Sequence, residues 1–278
     1  MTTIRHPLNL PFAKTIALGL GTITLLSAMA TYALPASAAS SATLPTIVLV
    51  HGAFAGSSSW NGVVARLLAK GYPVIAAANP LRGVRVDSAY LASILDSIPG
   101  PVVLVGHSYG GVIITNAATG KSNVKALVYV AGIVPAEGES AGALVGKFPG
   151  STLGPTLAPP TALSDGNKDL YILQAKFHDQ FAADVPARDS ALMAATQRPV
   201  VAAAFDELTG APAWKSIPSW FIYGSRDKNI PPVLQPFMAA RASAKGIVKV
   251  DGASHVVMVS HPDQVTKLIE QAAAAPQP

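Results

Sequence analysis

The chain has 278 residues, with 20 Lys and Arg against 15 Asp and Glu, a formal net charge of +5, and no cysteine. The positive excess is small and no Lys/Arg run concentrates it, so the sequence carries no nucleic-acid footprint. Without cysteine there is neither a disulfide framework nor a lipid-modifiable thiol, and stability must come from packing.

In chain order, residues 1–38 read as a secretory signal peptide. Arg5 and Lys14 form a positive n-region, Thr15 to Leu34 is an uncharged apolar run, and Ala36-Ser37-Ala38 gives the small-x-small pattern of a cleavage site. The run is long enough to span a bilayer. Pro35 and the small residues after it nevertheless have the character of a cleavage region rather than of a retained anchor. Cleavage after Ala38 would leave 278 − 38 = 240 residues and, with Arg5 and Lys14 gone, a charge of 5 − 2 = +3. That length suits one large α/β domain. No twin arginine precedes the apolar run, so the general secretory route is expected. The product is expected to be secreted or periplasmic, with no stable membrane anchor.

Residues 39–45 form a Ser/Ala-rich linker to a domain over 46–275. Short apolar runs predict strands at Thr46–Val50, Pro73–Ala77, Pro101–Gly106, Val124–Ala131, Ile217–Tyr223 and Gly246–Val250. Helices are expected near Trp60–Lys70, at Asp87–Ser97 with Asp87 as N-cap, from Tyr109 to near Thr119, and at Pro232–Ala244 and Pro262–Ala275. Gapless apolar strands alternating with helices indicate an α/β fold, with a mostly parallel sheet of about six strands covered on both faces.

The stretch 135–212 breaks this rhythm. It is Gly/Pro-rich from Gly146 to Pro160, then more polar and helical from Asp169 to Glu207. Too long for a simple connection, it predicts a small helical cap over the carboxyl ends of the strands, where α/β folds place their sites. Phe177, Phe181, Leu192 and Met193 are candidates for lining an acyl or alcohol pocket there, and equally for packing within the cap.

Gly106-His107-Ser108-Tyr109-Gly110 fits G-x-S-x-G between a predicted strand and a predicted helix. A nucleophile on so sharp a turn needs small neighbours, and the helix N-terminus favours negative charge developing beside it. A serine hydroxyl also needs a base. His255, just after the final strand in Gly252-Ala253-Ser254-His255, is placed to reach Ser108 over the sheet edge. The other histidines have plainer readings. His107 faces the core or braces the turn, His178 lies in the cap, His261 starts a helix before Pro262, and His51 braces its loop.

Asp227, in the loop after the penultimate strand, is the expected acid partner of His255. It completes the chain order Ser108, Asp227, His255. An ordinary ion pair with Arg226 or Lys228 is its other reading. Glu137 and Asp251 compete for the role, Asp251 being close in sequence to His255. Two backbone amides should form an oxyanion hole. Tyr109 supplies one, and the His51-Gly52-Ala53-Phe54 loop supplies the other, from Ala53 first and Phe54 second.

Taken together, these residues resemble the α/β-hydrolase superfamily over nearly all of 46–275. The likeness is above all to small short-cap bacterial hydrolases and to the plant methylesterase/hydroxynitrile lyase group. The matching pieces are Val50-His51-Gly52-Ala53, Val105 through Gly111, the Asp227 loop through Ile230-Pro231, and Gly252 through His255. The resemblance implies a serine esterase with Ser-His-Asp chemistry, no metal or organic cofactor, and a small carboxylic ester as substrate. Hydroxynitrile lyases of the plant group carry Thr where this chain has Gly52, and Lys where it has Val256, so the resemblance points to the esterase side. Dehalogenases and epoxide hydrolases of the fold use Asp at the elbow, where this chain has Ser108. The alternatives are lactone or amide hydrolysis, perhydrolysis, and a non-catalytic ligand receptor on the same fold.

Overall fold

A computed structural model describes residues 44–276. The expected signal peptide and most of the expected linker lie outside the described residues. Nine strands follow in order: β1 (Thr46–Val50), β2 (Val74–Ala77), β3 (Val102–His107), β4 (Val124–Val130), β5 (Thr161–Ala162), β6 (Lys168–Leu170), β7 (Val200–Val201), β8 (Ser219–Gly224) and β9 (Gly246–Val250). The helices are α1 (Asn61–Ala69), α2 (Val84–Asp96), α3 (Tyr109–Ala117), α4 (Ala141–Gly146), α5 (Gln174–Phe181), α6 (Ala187–Thr196), α7 (Leu234–Arg241), α8 (Val257–Ser260) and α9 (Pro262–Ala274). No described helix is long and apolar enough to cross a membrane.

Six strands form one parallel sheet in the order β2-β1-β3-β4-β8-β9. The gapless runs expected for a sheet covered on both faces are found in the middle of it. Every residue of β3 and β8 is buried, while the edge strand β9 alternates exposed and less exposed positions. Helix α9 packs against α1, β4 and β8, and α2 packs against α3, which lies on β3. In α9, Val265, Leu268, Ile269 and Ala272 are buried at the spacing of one helical face, and Pro262 opens the helix where its missing N–H has no intrahelical partner to lose.

Several expected boundaries shift by one to three residues, and one of these shifts bears on the site. Helix α2 starts at Val84, so Asp87 sits inside its first turn and Gly83 is the N-cap. The Asp87 amide donates to the Gly83 carbonyl at 2.9 Å, and its buried carboxylate turns toward α3 instead of capping the helix.

Between β4 and β8 the chain leaves the sheet. This insertion holds α4, α5, α6 and three short 3-10 turns at Gly154–Thr156, Ala202–Phe205 and Ala213–Lys215. It also holds a three-stranded antiparallel sheet, β5-β6-β7, that the sequence reading did not include. Strands of two or three residues are too short to display a period of two.

Candidate active site

The site is built from three loops at the carboxyl ends of β3, β8 and β9. Ser108 sits between β3 and α3 with φ 52° and ψ −123°, a left-handed backbone that a side-chain-bearing residue rarely adopts. Such a conformation costs about 1–3 kcal/mol and persists only when its surroundings hold it. Here the Ser108 amide donates to Val130 at 3.2 Å, and its carbonyl accepts from Gly111 at 2.9 Å and Ile133 at 3.0 Å. The flanking glycines allow the close approach. A Cβ at Gly106 would lie 2.6 Å from the Gly110 carbonyl oxygen, and one at Gly110 would lie 2.5 Å from that of Val50.

Tyr109 follows the turn inward. Its hydroxyl donates to Asp87 Oδ2 at 3.0 Å, and the Arg82 amide donates to Asp87 Oδ1 at 3.0 Å. Burial raises the Asp87 pKa against the lowering effect of these bonds, and burial with the Asp87 charge pushes the Tyr109 phenol upward. The phenol therefore stays protonated and anchors the first turn of α3.

His255 and Asp227 meet in the loops after β9 and β8. His255 Nδ1 lies 2.7 Å from Asp227 Oδ2, with side chains 1% and 0% exposed. A carboxylate only accepts, so this bond places the imidazole proton on Nδ1 and leaves Nε2 as a lone pair. The other Asp227 oxygen accepts from the amides of Asn229 at 2.8 Å and Ile230 at 3.0 Å. The two loops are tied by the amides of Ser225 to Val250 at 3.0 Å and Arg226 to Ala253 at 2.9 Å. His255 Nε2 is buried with no hydrogen-bond partner among the described residues, and His255 and Ser108 line the same cavity. Ser108 itself is 8% exposed.

The remaining titratable candidates lie elsewhere. Glu137 is exposed and 3.6 Å from Lys215, and Asp251 is exposed and 3.2 Å from Lys249. His107 is buried, with Nε2 3.2 Å from the His255 carbonyl and its ring 4.7 Å from the His255 ring. Burial, with the neighbouring His255, holds it well below the usual histidine range, so a neutral ring braces the His255 backbone. Burial likewise lowers His51 to about 4, despite its Nδ1 contact with the Gly52 carbonyl at 3.0 Å. His178 bonds Val185 in the cap at 3.0 Å, and His261 precedes α9 with Nδ1 2.9 Å from Ser260 Oγ. Among the described residues, no group of three or more His, Cys, Asp or Glu is placed to hold a metal ion.

The loop after β1 lies against the Ser108 turn. A Cβ at Gly52 would lie 2.6 Å from Ser108 Cβ and 3.1 Å from the Tyr109 amide, so the 52–53 backbone runs against the elbow. Neither the Ala53 nor the Tyr109 amide donates to another described residue. The Phe54 amide is engaged by the Arg198 carbonyl at 3.0 Å, which removes the second-choice donor from consideration.

The cavity over Ser108 has a volume of about 550 Å³. Of the four apolar cap residues proposed from sequence, only Phe181 lines it. Phe177 is fully buried behind Phe181, with ring centroids 5.0 Å apart. Leu192 and Met193 line a separate groove of about 410 Å³ against Phe54 and the loop before α1. About half of the lining residues of this cavity come instead from 141–157, where α4 and a 3-10 turn are too short to carry a periodic signal.

Sequence reading also missed the clamp on the acid loop. Gln180 of α5 donates to the Lys228 carbonyl at 2.9 Å and to Asn229 Oδ1 at 3.1 Å, while Asn229 Nδ2 donates back to the Gln180 carbonyl at 3.1 Å. Thr152 donates to Gln180 Oε1 at 2.9 Å. No local pattern pairs residues so far apart in the chain.

The model of the Alpha/beta hydrolase family matches residues 47–268. The chain belongs to the alpha/beta hydrolase family. This hydrolase is 27% identical to Esterase PIR7B of Oryza sativa subsp. japonica over 271 residues, covering 83% of this chain and 96% of that protein. Among solved structures it is similar to polyneuridine aldehyde esterase, at 20% identity and a TM-score of 0.71, over 82% of this chain and 98% of that one. A pyrethroid hydrolase from Sphingobium faniae JZ-2 gives 22% identity and a TM-score of 0.67, over 84% and 99%. The two structural likenesses speak for the shared fold.

Proposed function

We propose that this hydrolase cleaves carboxylic esters by two-step acyl transfer, with Ser108 as nucleophile, His255 as general base and acid, and Asp227 as the group that orients His255. The single observation that carries the reading is the buried 2.7 Å contact of His255 Nδ1 with Asp227 Oδ2, which leaves Nε2 without a partner on a residue that lines the same cavity as Ser108. The likeness to a named esterase supports the same class of reaction.

The substrate carbonyl sits over Ser108. His255 Nε2 takes the hydroxyl proton as Oγ attacks the carbonyl carbon, and Asp227 stabilises the imidazolium. The amides of Ala53 and Tyr109 hold the oxyanion of the tetrahedral intermediate. Collapse expels the alcohol, which takes the proton from His255 and leaves Ser108 acylated. Water then attacks the acyl-enzyme by the same proton route in reverse and releases the acid. The leader-like residues 1–38 support export of the mature enzyme by the general secretory route.

Hydrolysis of p-nitrophenyl acetate tests the mechanism. Ser108→Ala is expected to lower kcat by at least ~10⁴-fold, with loss of fluorophosphonate labelling. Full turnover retained in that variant would defeat the proposal.

A further inference from the structure

The cavity over Ser108 is larger and less polar than an acetyl ester requires. Its volume of about 550 Å³ falls within the span of about 300–1,000 Å³ that encloses drug-sized ligands. Ile133, Val145, Phe148, Leu157 and Phe205 contribute apolar wall, and among the described residues no Asp, Glu, Lys or Arg lines it. Four polar side chains do: Ser108, His255, Ser151 and Asn229. Both ends of the Asn229 amide are already engaged with Gln180, so beyond the reacting groups the wall offers a substrate little polar partnership.

Four glycines stand at the solvent-exposed side of that wall. A Cβ at Gly142 would lie 3.2 Å from the Phe205 carbonyl oxygen, and Gly150 has a φ of 123°. The other two are Gly146, the last residue of α4, and Gly154, which opens the following 3-10 turn. Neither has the positive φ that demands glycine, and a Cβ built at either meets nothing within 4 Å. At Gly52, Gly106 and Gly110, by contrast, a Cβ would strike backbone or the nucleophile itself. Neither the backbone nor packing within the chain accounts for glycine at 146 and 154. Both line the cavity, and a side chain at either would extend into open space.

We infer that the cavity selects uncharged esters bearing a bulky apolar group, and that Gly146 and Gly154 determine this selectivity by leaving room for that group. The inference rests on the ester-hydrolase reading of Ser108. A charged group entering this wall would lose hydration with no opposite charge to replace it. Each methylene buried there favours binding by about fourfold.

The experiment compares kcat/KM for p-nitrophenyl acetate, p-nitrophenyl octanoate and the anionic p-nitrophenyl hemisuberate, whose chain is of similar length to the octanoate. Octanoate is expected to exceed both of the others by at least ~10-fold. Gly146→Leu and Gly154→Leu are expected to cut the octanoate-to-acetate ratio by at least ~5-fold, with a cooperative thermal unfolding transition reporting that the variants fold. Gly146→Ala and Gly154→Ala, which add one methyl group to open space, should shift the ratio in the same direction by less. A flat chain-length profile, equal turnover of hemisuberate, or an unchanged ratio in both Leu variants overturns the inference and leaves the catalytic reading standing. Absence of Ser108-dependent turnover on all three esters overturns both.

Discussion

The central sheet and the insertion above it solve the same packing problem by different means. In the sheet, gapless runs such as Val102–His107 bury every side chain and lock neighbours by parallel backbone pairing. In the insertion, elements of two to ten residues are tied to the framework by side-chain bonds to backbone, such as Gln180 to Lys228 and Thr119 Oγ1 to the Ala211 carbonyl at 2.7 Å. The sheet brings Ser108, Asp227 and His255 from distant parts of the chain to one edge. The insertion walls the cavity beside them and grips the Asp227 loop. The geometry of these three side chains therefore depends on both regions, and substitutions on either side of the boundary measure how much each contributes.

The largest effect should come from the framework side. Asp227→Asn keeps the size of the side chain but can present an N–H toward His255 Nδ1, reversing the tautomer that a carboxylate enforces. A kcat loss of ~10³–10⁴-fold is expected on p-nitrophenyl acetate, with KM little changed. A loss below tenfold would mean that another acid orients His255. Glu137 and Asp251 offer no such contact in this structure, since both are exposed and paired with lysine.

An intermediate effect should come from the insertion side. Gln180→Leu removes the bonds to Lys228 and Asn229 and leaves buried polar atoms unpaired, at a cost of about 1–3 kcal/mol. The expected result is a Tm lowered by about 4–8 °C, together with a kcat fall of about tenfold as the Asp227 loop loosens. If Tm falls and kcat does not, the insertion is a roof over the cavity and plays no part in holding the acid.

The same contrast explains what could be read from the sequence. The sharp turn at Ser108 was legible because its glycines must sit within a few residues of it, and β3 because β-branched residues run without interruption between turn residues. The pairing of His255 with Asp227 was legible through their places after the last two strands. Gln180 was not, because its partners lie 48 and 49 positions away and a glutamine in a polar helix carries no mark of burial. Asp87 was misread as a cap for a related reason. Its carboxylate serves Tyr109 across the packing of α2 on α3, a tertiary demand invisible in the local pattern. Leu192 and Met193 lie in α6 of the insertion, but the side of it they line could not be fixed without the path of 141–157.

The smallest effect concerns the start of the insertion and depends on pH. Glu139 accepts from the Ala136 amide at 2.8 Å, from Arg241 of α7 at 2.7 Å, and from Lys147, joining the insertion to the framework. Burial alone would raise its pKa. The Ala136 amide, Lys147 and Arg241 outweigh that and hold it at about 2, against an ordinary value of 4.5. A carboxylate whose pKa is lowered by folding stabilises the fold fully above its unfolded value. That contribution drains away as pH falls from 4.5 toward 2. The side chain is 18% exposed, and solvent screens part of the interaction. Glu139→Gln should therefore lower Tm at pH 7 by only about 2–4 °C, with the gap from the parent narrowing steadily between pH 5 and pH 2. A gap of constant size across that range would show that shape and hydrogen bonding, rather than the charge of Glu139, join the insertion to α7.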